Sequence, residues 1–278
     1  MQRLISLLSL KPILFGLVGM LISGISFPLA GVIVVQNGLI PMRYMLMHGV
    51  ILGGVAALVL DIPMLAVVIP LNVILVLIMI HLSKEGHNLS TASSAMMVCT
   101  MGLASLVSHL FDVPAKDTLE VLWGSPFALN QTDLLLLATL GALAILYVAF
   151  FFIPLSMIFF DKDIASSLGV PVKLHNTIMV LITALIVSVA MRVLGALLID
   201  ALLVLPVVGA SKNAKSLKQL FIQSSLTGLV LSLVGYLLAL LWNLPVSGTL
   251  AMLAVVAFII NTVIEKFKRK KWKKPLLS

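Results

Sequence analysis

Apolar positions in this chain follow neither the two-residue alternation of a half-buried strand nor the single stripe of a surface helix. They form long runs that end only where charge or a polar cluster interrupts them. The runs lie at about 13–36, 45–60, 63–82, 95–111, 133–159, 176–191, 193–211, 219–242 and 246–264. A helix of roughly 20 apolar residues crosses a hydrocarbon layer about 30 Å thick. Lipid offers the backbone no hydrogen bonds, so a spanning segment must satisfy its own. The pattern therefore predicts an all-α, polytopic membrane helix bundle of nine spans, or eight if one run is re-entrant. It also predicts that residues 1–278 form one transmembrane domain, since no polar interruption is long enough for a soluble one.

Composition narrows the class further. Of 278 residues, 61% are hydrophobic and 10% charged, against about 45–50% and about 25% in soluble domains. A water-soluble or disordered chain is excluded. The single cysteine, Cys99, excludes a disulfide scaffold and reads as a small packing residue. Pro28, Pro70, Pro154 and Pro206, with Gly49, Gly53 and Gly54, fall inside the runs. Such breaks persist in lipid only where neighbouring helices or a cavity satisfy the freed backbone groups. They favour a transport path over simple anchoring.

Charge orients the spans. Lys and Arg number 18 against 10 Asp and Glu, a net +8. Seven of those cations (Lys266, Lys268, Arg269, Lys270, Lys271, Lys273 and Lys274) crowd into the C-terminal tail, 265–278. The positive-inside tendency puts that tail in the cytoplasm. Counting back, Asn243–Pro245 is external and 212–218 cytoplasmic, with Lys212, Lys215 and Lys218. The segment 160–175 is cytoplasmic, with Lys162 and Lys173; 112–132 is external; 83–94 is cytoplasmic, with Lys84. Arg192 falls outside as a local exception, and the N-terminus is external despite Arg3 and Lys11. No small-residue cleavage site follows a short apolar core, so a removable signal peptide is not expected. The tail has only Phe267 and Trp272 among its cations, which fits the membrane surface and not a nucleic acid. No glycine-rich phosphate loop of the GxxxxGK type is present, so any ATP is expected to be bound by another polypeptide.

A few side chains could carry chemistry. His81, Glu85 and His87 lack the HExxH spacing of a zinc helix; these three, His109 and His175 read as residues of span edges. His48 differs, because it stands inside a run, MRYMLMHGVILGG, flanked by Met42, Met45 and Met47. Imidazole suits zinc, copper, iron and nickel, and thioether sulfur suits softer ions; packing is the ordinary role of such methionines. Asp200 is the carboxylate deepest within a run. Its insertion costs roughly 2.5–3.5 kcal/mol unless a proton, a cation or a ligand ion meets it. Arg192 is about 12 Å away along a helix axis, too far to serve.

Five segments, in order, resemble one family. GLVGMLISGISFPLAGVIVVQNG with MHGVILGGVAA is similar to its opening pair of helices, and LEVLWGSPFAL to its external segment. FFDKDIASSLGVPVKLHN resembles its cytoplasmic coupling segment, VLGALLIDALLVLPVVGA its Gly-rich Ala-Leu-Leu stretch, and NLPVSGTLAMLAVV its closing helix. The family is that of permease subunits of ABC importers for zinc, manganese or iron, related to the cobalamin and siderophore permeases.

The resemblance implies a type II ABC importer permease-like bundle in the cytoplasmic (inner) membrane of a prokaryote. It also implies a second permease subunit, identical or homologous, two ATP-binding cassette ATPases and an extracytoplasmic metal-binding protein. No cofactor would be held by this chain; the metal ion would be cargo, and ATP would be bound by the partner subunit. The coupling helix would be 161–170, carried by Asp161, Ala165 and Gly169. Here Asp161 can cap the helix start, and Gly169 before Pro171 can end it.

The sequence departs from the family at Tyr44 and Met47, where an Asp and a Ser are usual before the His. His48 is then the expected metal contact, with Met45 and Met47 as further candidates and Asp200 restoring the missing charge from another helix. The alternatives are the same architecture carrying a metal chelate or corrinoid, and a secondary transporter. No internal inverted repeat supports the latter, and no pairing of catalytic groups suggests an intramembrane enzyme.

Overall fold

A computed structural model describes residues 10–84, 89–113 and 124–272. Eight of its helices are long and apolar enough to cross a membrane. They are α1 (Lys11–Gln36), α2 (Ile40–Leu60), α3 (Met64–Lys84), α4 (Leu89–Leu110), α5 (Gln131–Phe150), α8 (Val172–Leu194), α11 (Leu217–Trp242) and α12 (Val246–Trp272). Between them lie the short helices α6 (Phe152–Phe160), α7 (Lys162–Ser167), α9 (Ala196–Leu203) and α10 (Leu205–Ser211), with a 3₁₀ turn at Pro126–Ala128.

The expected run 193–211 is thus no continuous span but a broken pair, α9 and α10. It starts at Gly195, whose φ of +90° only glycine adopts readily. It breaks at Val204, because Pro206 has no N–H to offer the carbonyl one turn back. The run 133–159 splits at Phe151 for the same reason, Pro154 having no N–H to offer the Phe150 carbonyl. The second span begins five residues before the expected 45, at Ile40, with Pro41 in its first turn, and so takes in Arg43.

Helices α1 and α8 are the most buried of the eight, each with 72% of its most apolar window inside the protein. Small residues explain how α1 lies so close to α11. A Cβ on Gly228 would come within 2.6 Å of Pro28 Cγ, and Ser225 Oγ donates across to the Ile25 carbonyl at 2.9 Å. In lipid, helix association rests on such close packing and polar contacts. Helices α2, α3 and α4 pack together, and α2 and α3 both lie against α8. Buried Asn72 of α3 ties them, its Nδ2 donating to Ser188 Oγ on α8 at 2.7 Å and to the Leu46 carbonyl on α2 at 3.3 Å.

The bundle has two chemically different ends. At one, Tyr236 Oη donates to the Ile13 carbonyl at 2.6 Å, and Gly124 packs on Gly195. Here Arg192, the exception to the charge count, pairs with Asp133 at 3.0 Å. At the other end Gln36, Phe160, Ser211 and Lys215 line one cavity, and Lys212 Nζ donates to Thr262 of α12 at 2.6 Å. Helix α7 and the lysines 162, 173, 212, 215 and 218, in or beside the short connections, follow from these positions to the same end. Helix α12 runs toward it, carrying the start of the basic tail. Lys273 and Lys274, Glu85 and His87, the N-terminal Arg3 and the LEVLW part of the external segment lie outside the described residues.

Candidate functional site

Helix α2 is covered on one side and open on the other. Gly49 and Gly53 let α3 approach closely: a side chain at Gly49 would collide with Asn72, and one at Gly53 with Val68. Met42, Arg43, Met45, Leu46 and Val50 are buried on the covered side. Tyr44 is exposed and Met47, His48 and Ile51 are half-buried. Met45 therefore belongs to the hydrophobic core; of the two flanking methionines proposed from the sequence, only Met47 reaches the open side. The His48 ring has no hydrogen-bond partner among the described residues.

Asp200 comes to this region from α9. That helix is pressed against α1 at Gly31, where the Leu203 carbonyl occupies the space a Cβ would need. So placed, the Asp200 carboxylate pairs with the Arg43 guanidinium of α2, the side chains being 39% and 6% exposed respectively. The guanidinium carbon also lies 4.3 Å from the centre of the Tyr44 ring, and the Arg43 Nε is buried without a hydrogen-bond partner among the described residues. Asp200 and Arg43 thus meet at Tyr44, and His48 follows Tyr44 by one turn of α2.

Arg43 is the residue that sequence reasoning missed. Its only signal was its place three residues after Ile40, within reach of the apolar run. The cation that Asp200 requires is therefore present, on a different helix. Among the described residues no three His, Cys, Asp or Glu gather as a metal site.

The short helix α7 matches the expected segment. Asp161 caps it, its Oδ1 accepting from the N–H groups of Asp163 at 2.8 Å and Ile164 at 2.9 Å. Gly169 ends it at φ +83°, while Val170 N–H donates back to the Ala165 carbonyl at 3.0 Å. Ala165 itself is fully buried, so it seats the helix on the bundle. The outward residues are Phe160, Ile164 and Leu168, exposed by 83%, 50% and 65%. Close by, His175 lies at the start of α8, as its position suggests, but is buried and not interfacial. Tyr147 Oη lies 2.9 Å from its Nδ1, and Phe151, the residue at the α5–α6 break, meets its ring edge-on at 5.2 Å. The break brings that aromatic over the imidazole and shuts out solvent.

An all-helical bundle with eight membrane-length helices, a broken helix pair beside an ion pair and a capped surface helix at its lysine-rich end is the architecture of a polytopic transport permease. The chain belongs to the ABC 3 transport family, whose profile matches residues 10–265. It is 28% identical over 156 residues to the manganese import system permease protein ScaB of Streptococcus pneumoniae, a match covering 56% of each chain. It is 23% identical to the high-affinity zinc uptake system membrane protein ZnuB of Haemophilus influenzae, covering 92% of this chain and 96% of that one. Its fold is similar to that of PsaBC from Streptococcus pneumoniae, solved with a Fab, with a TM-score of 0.79 and 22% identity over 94% of both chains.

Proposed function

We propose that this chain is the membrane permease subunit of an ABC importer for a divalent transition metal ion, manganese, zinc or iron, in a prokaryotic cytoplasmic membrane. The observation that carries the reading is a partly exposed carboxylate, Asp200 of α9, paired with Arg43 of the helix that also carries half-buried His48, on a bundle of this family. A carboxylate facing lipid is unfavourable by roughly 2.5–3.5 kcal/mol, so this side is one that a second permease subunit covers, with the ion path between the two. A neutral imidazole offers the ion a nitrogen lone pair, and a carboxylate offers charge. The names of the relatives, manganese and zinc permeases, support this ion class.

ATP is bound and hydrolysed by two separate cassette ATPases beneath the lysine-rich end. Ile164, Leu168 and Phe160 form the apolar knob that meets them, while Asp161, Ala165 and Gly169 hold its shape. An extracytoplasmic metal-binding protein delivers the ion at the opposite end. The C-terminal tail lies in the cytoplasm.

Reconstitution in proteoliposomes with the ATPase and the binding protein tests the reading, with Mn²⁺, Zn²⁺ and Fe²⁺ supplied in turn. ATP-dependent accumulation of at least one ion is expected. No accumulation of any of the three would overturn it.

A further inference from the structure

We propose that Arg43 is a tethered competitor for the transported ion. Its guanidinium occupies the Asp200 carboxylate while the path is empty and yields it when a divalent cation arrives. The inference rests on the permease reading above and adds the residue that regulates the site.

Arg43 is the buried member of the pair and Asp200 the open one, with side-chain exposures of 6% and 39%. The carboxylate is therefore partly open, while the cation reaches it from within the protein. The Asp200 carboxylate makes no other hydrogen bond among the described residues, so its remaining lone pairs are available to an incoming ligand. A guanidinium keeps its charge at every working pH. In an empty path the pair is thus neutral, which explains how a carboxylate is tolerated within a span without a bound ion.

Arg43 is also loosely enough held to let go. Its Nε is buried with no hydrogen-bond partner among the described residues, so the guanidinium is not locked into a full set of bonds. It already rests 4.3 Å from the centre of the Tyr44 ring, and the face of an aromatic ring attracts a cation. Tyr44 stands where the resembled family usually has a carboxylate, so here the ring gives the displaced cation a place to stay. A divalent ion concentrates two charges in a small volume, whereas a guanidinium spreads one over a plane. Divalent ions therefore displace it and monovalent ions do not. Arg43 in this way makes a single accessible carboxylate selective by charge.

The test measures initial Mn²⁺ uptake against concentration in proteoliposomes holding the complete transporter. Arg43→Gln is expected to lower KM at least threefold and to lower Vmax, because an uncontested carboxylate binds the ion more tightly and releases it more slowly. Asp200→Asn is expected to raise KM, and the double variant to share the KM of Asp200→Asn, since Arg43 acts only through Asp200. Arg43→Lys, which keeps the charge but loses the planar stacking, is expected to lower KM by a smaller step and serves if Arg43→Gln does not assemble. Single variants that lose Vmax at unchanged KM, with recovery in the double variant, would make the pair a mere fastener and overturn the inference. So would a wild-type KM in Arg43→Lys. A wild-type complex that takes up no Mn²⁺, Zn²⁺ or Fe²⁺ would refute the permease reading instead.

Discussion

Among the described residues two ion pairs join helices of this bundle, and they are built in opposite senses. In the pair between α8 and α5 the carboxylate of Asp133 is the buried member, with its side chain 9% exposed against 36% for Arg192. That carboxylate is also engaged at its own helix start, where Asn130 N–H donates to Oδ2 at 3.3 Å and Asp133 N–H donates to Asn130 Oδ1 at 2.8 Å. In the pair between α2 and α9 the guanidinium is buried and the carboxylate is open, with no helix cap to occupy it. Both oxygens of the first carboxylate accept from protein donors. The second has lone pairs to spare. An ion pair at the end of a bundle with both carboxylate oxygens engaged is a fastener, whereas one within the membrane with an accessible carboxylate is suited to exchange partners.

The contrast can be broken by substitution at each site. The largest effect is expected from Asp200→Asn and from His48→Ala. Each should reduce metal uptake at low ion concentration more than tenfold in proteoliposomes, with thermal unfolding in detergent shifted by only a few degrees. The two together should be no worse than either alone if both contact one ion. Loss of uptake that merely tracks lost stability would erase the distinction between the pairs.

Asp133→Ala should behave in the opposite way. It removes a capping-box member and the partner of Arg192, and a loss of about 2 kcal/mol is expected, since a cap is worth about 1 kcal/mol and exposure of the arginine weakens the rest. Thermal unfolding should fall while the KM for the ion stays at its wild-type value. A changed KM would mean that this pair, too, belongs to the path.

A smaller change in uptake, and none in ion affinity, is expected from Leu168→Asp. Because Leu168 is 65% exposed, the fold should persist while ATPase stimulation by the permease falls several-fold. Ala165→Arg should instead lower the yield of folded protein, because Ala165 is buried beneath α7. Wild-type coupling in Leu168→Asp would move the ATPase contact elsewhere.

The smallest effect belongs to Tyr147→Phe, which removes one hydroxyl contact to His175. A cost of about 1 kcal/mol is expected, read by thermal unfolding, with KM unchanged.

Much of this architecture was legible in the chain. Runs of apolar residues determine spans because the free energy of insertion is a sum over a local window, and neighbours in sequence are neighbours in a helix. A short helix within 161–170 was readable for the same reason, an Asp at its start and a Gly after its end acting on backbone groups within one turn, although the helix itself covers only Lys162–Ser167. The order of five segments pointed to the family that the whole-chain comparison establishes. Arg43 escaped because a cation near the start of a run ends a hydropathy window, although Pro41 allows the helix to begin before it.

Packing decided the rest. That Asp200 meets Arg43, 157 positions earlier, depends on how α9 is turned and where it breaks. Gly195, Pro206 and the contact of Leu203 with Gly31 set that turn. That Arg192 is answered by Asp133, and that His175 is sealed beneath Phe151, likewise depends on the rotation of neighbouring helices. By itself the sequence determined which segments enter the membrane, because burial in lipid is a local transfer of each residue from water. Only the tertiary structure decided which buried charges face each other, because helix rotation is set by contacts between residues that no local window contains.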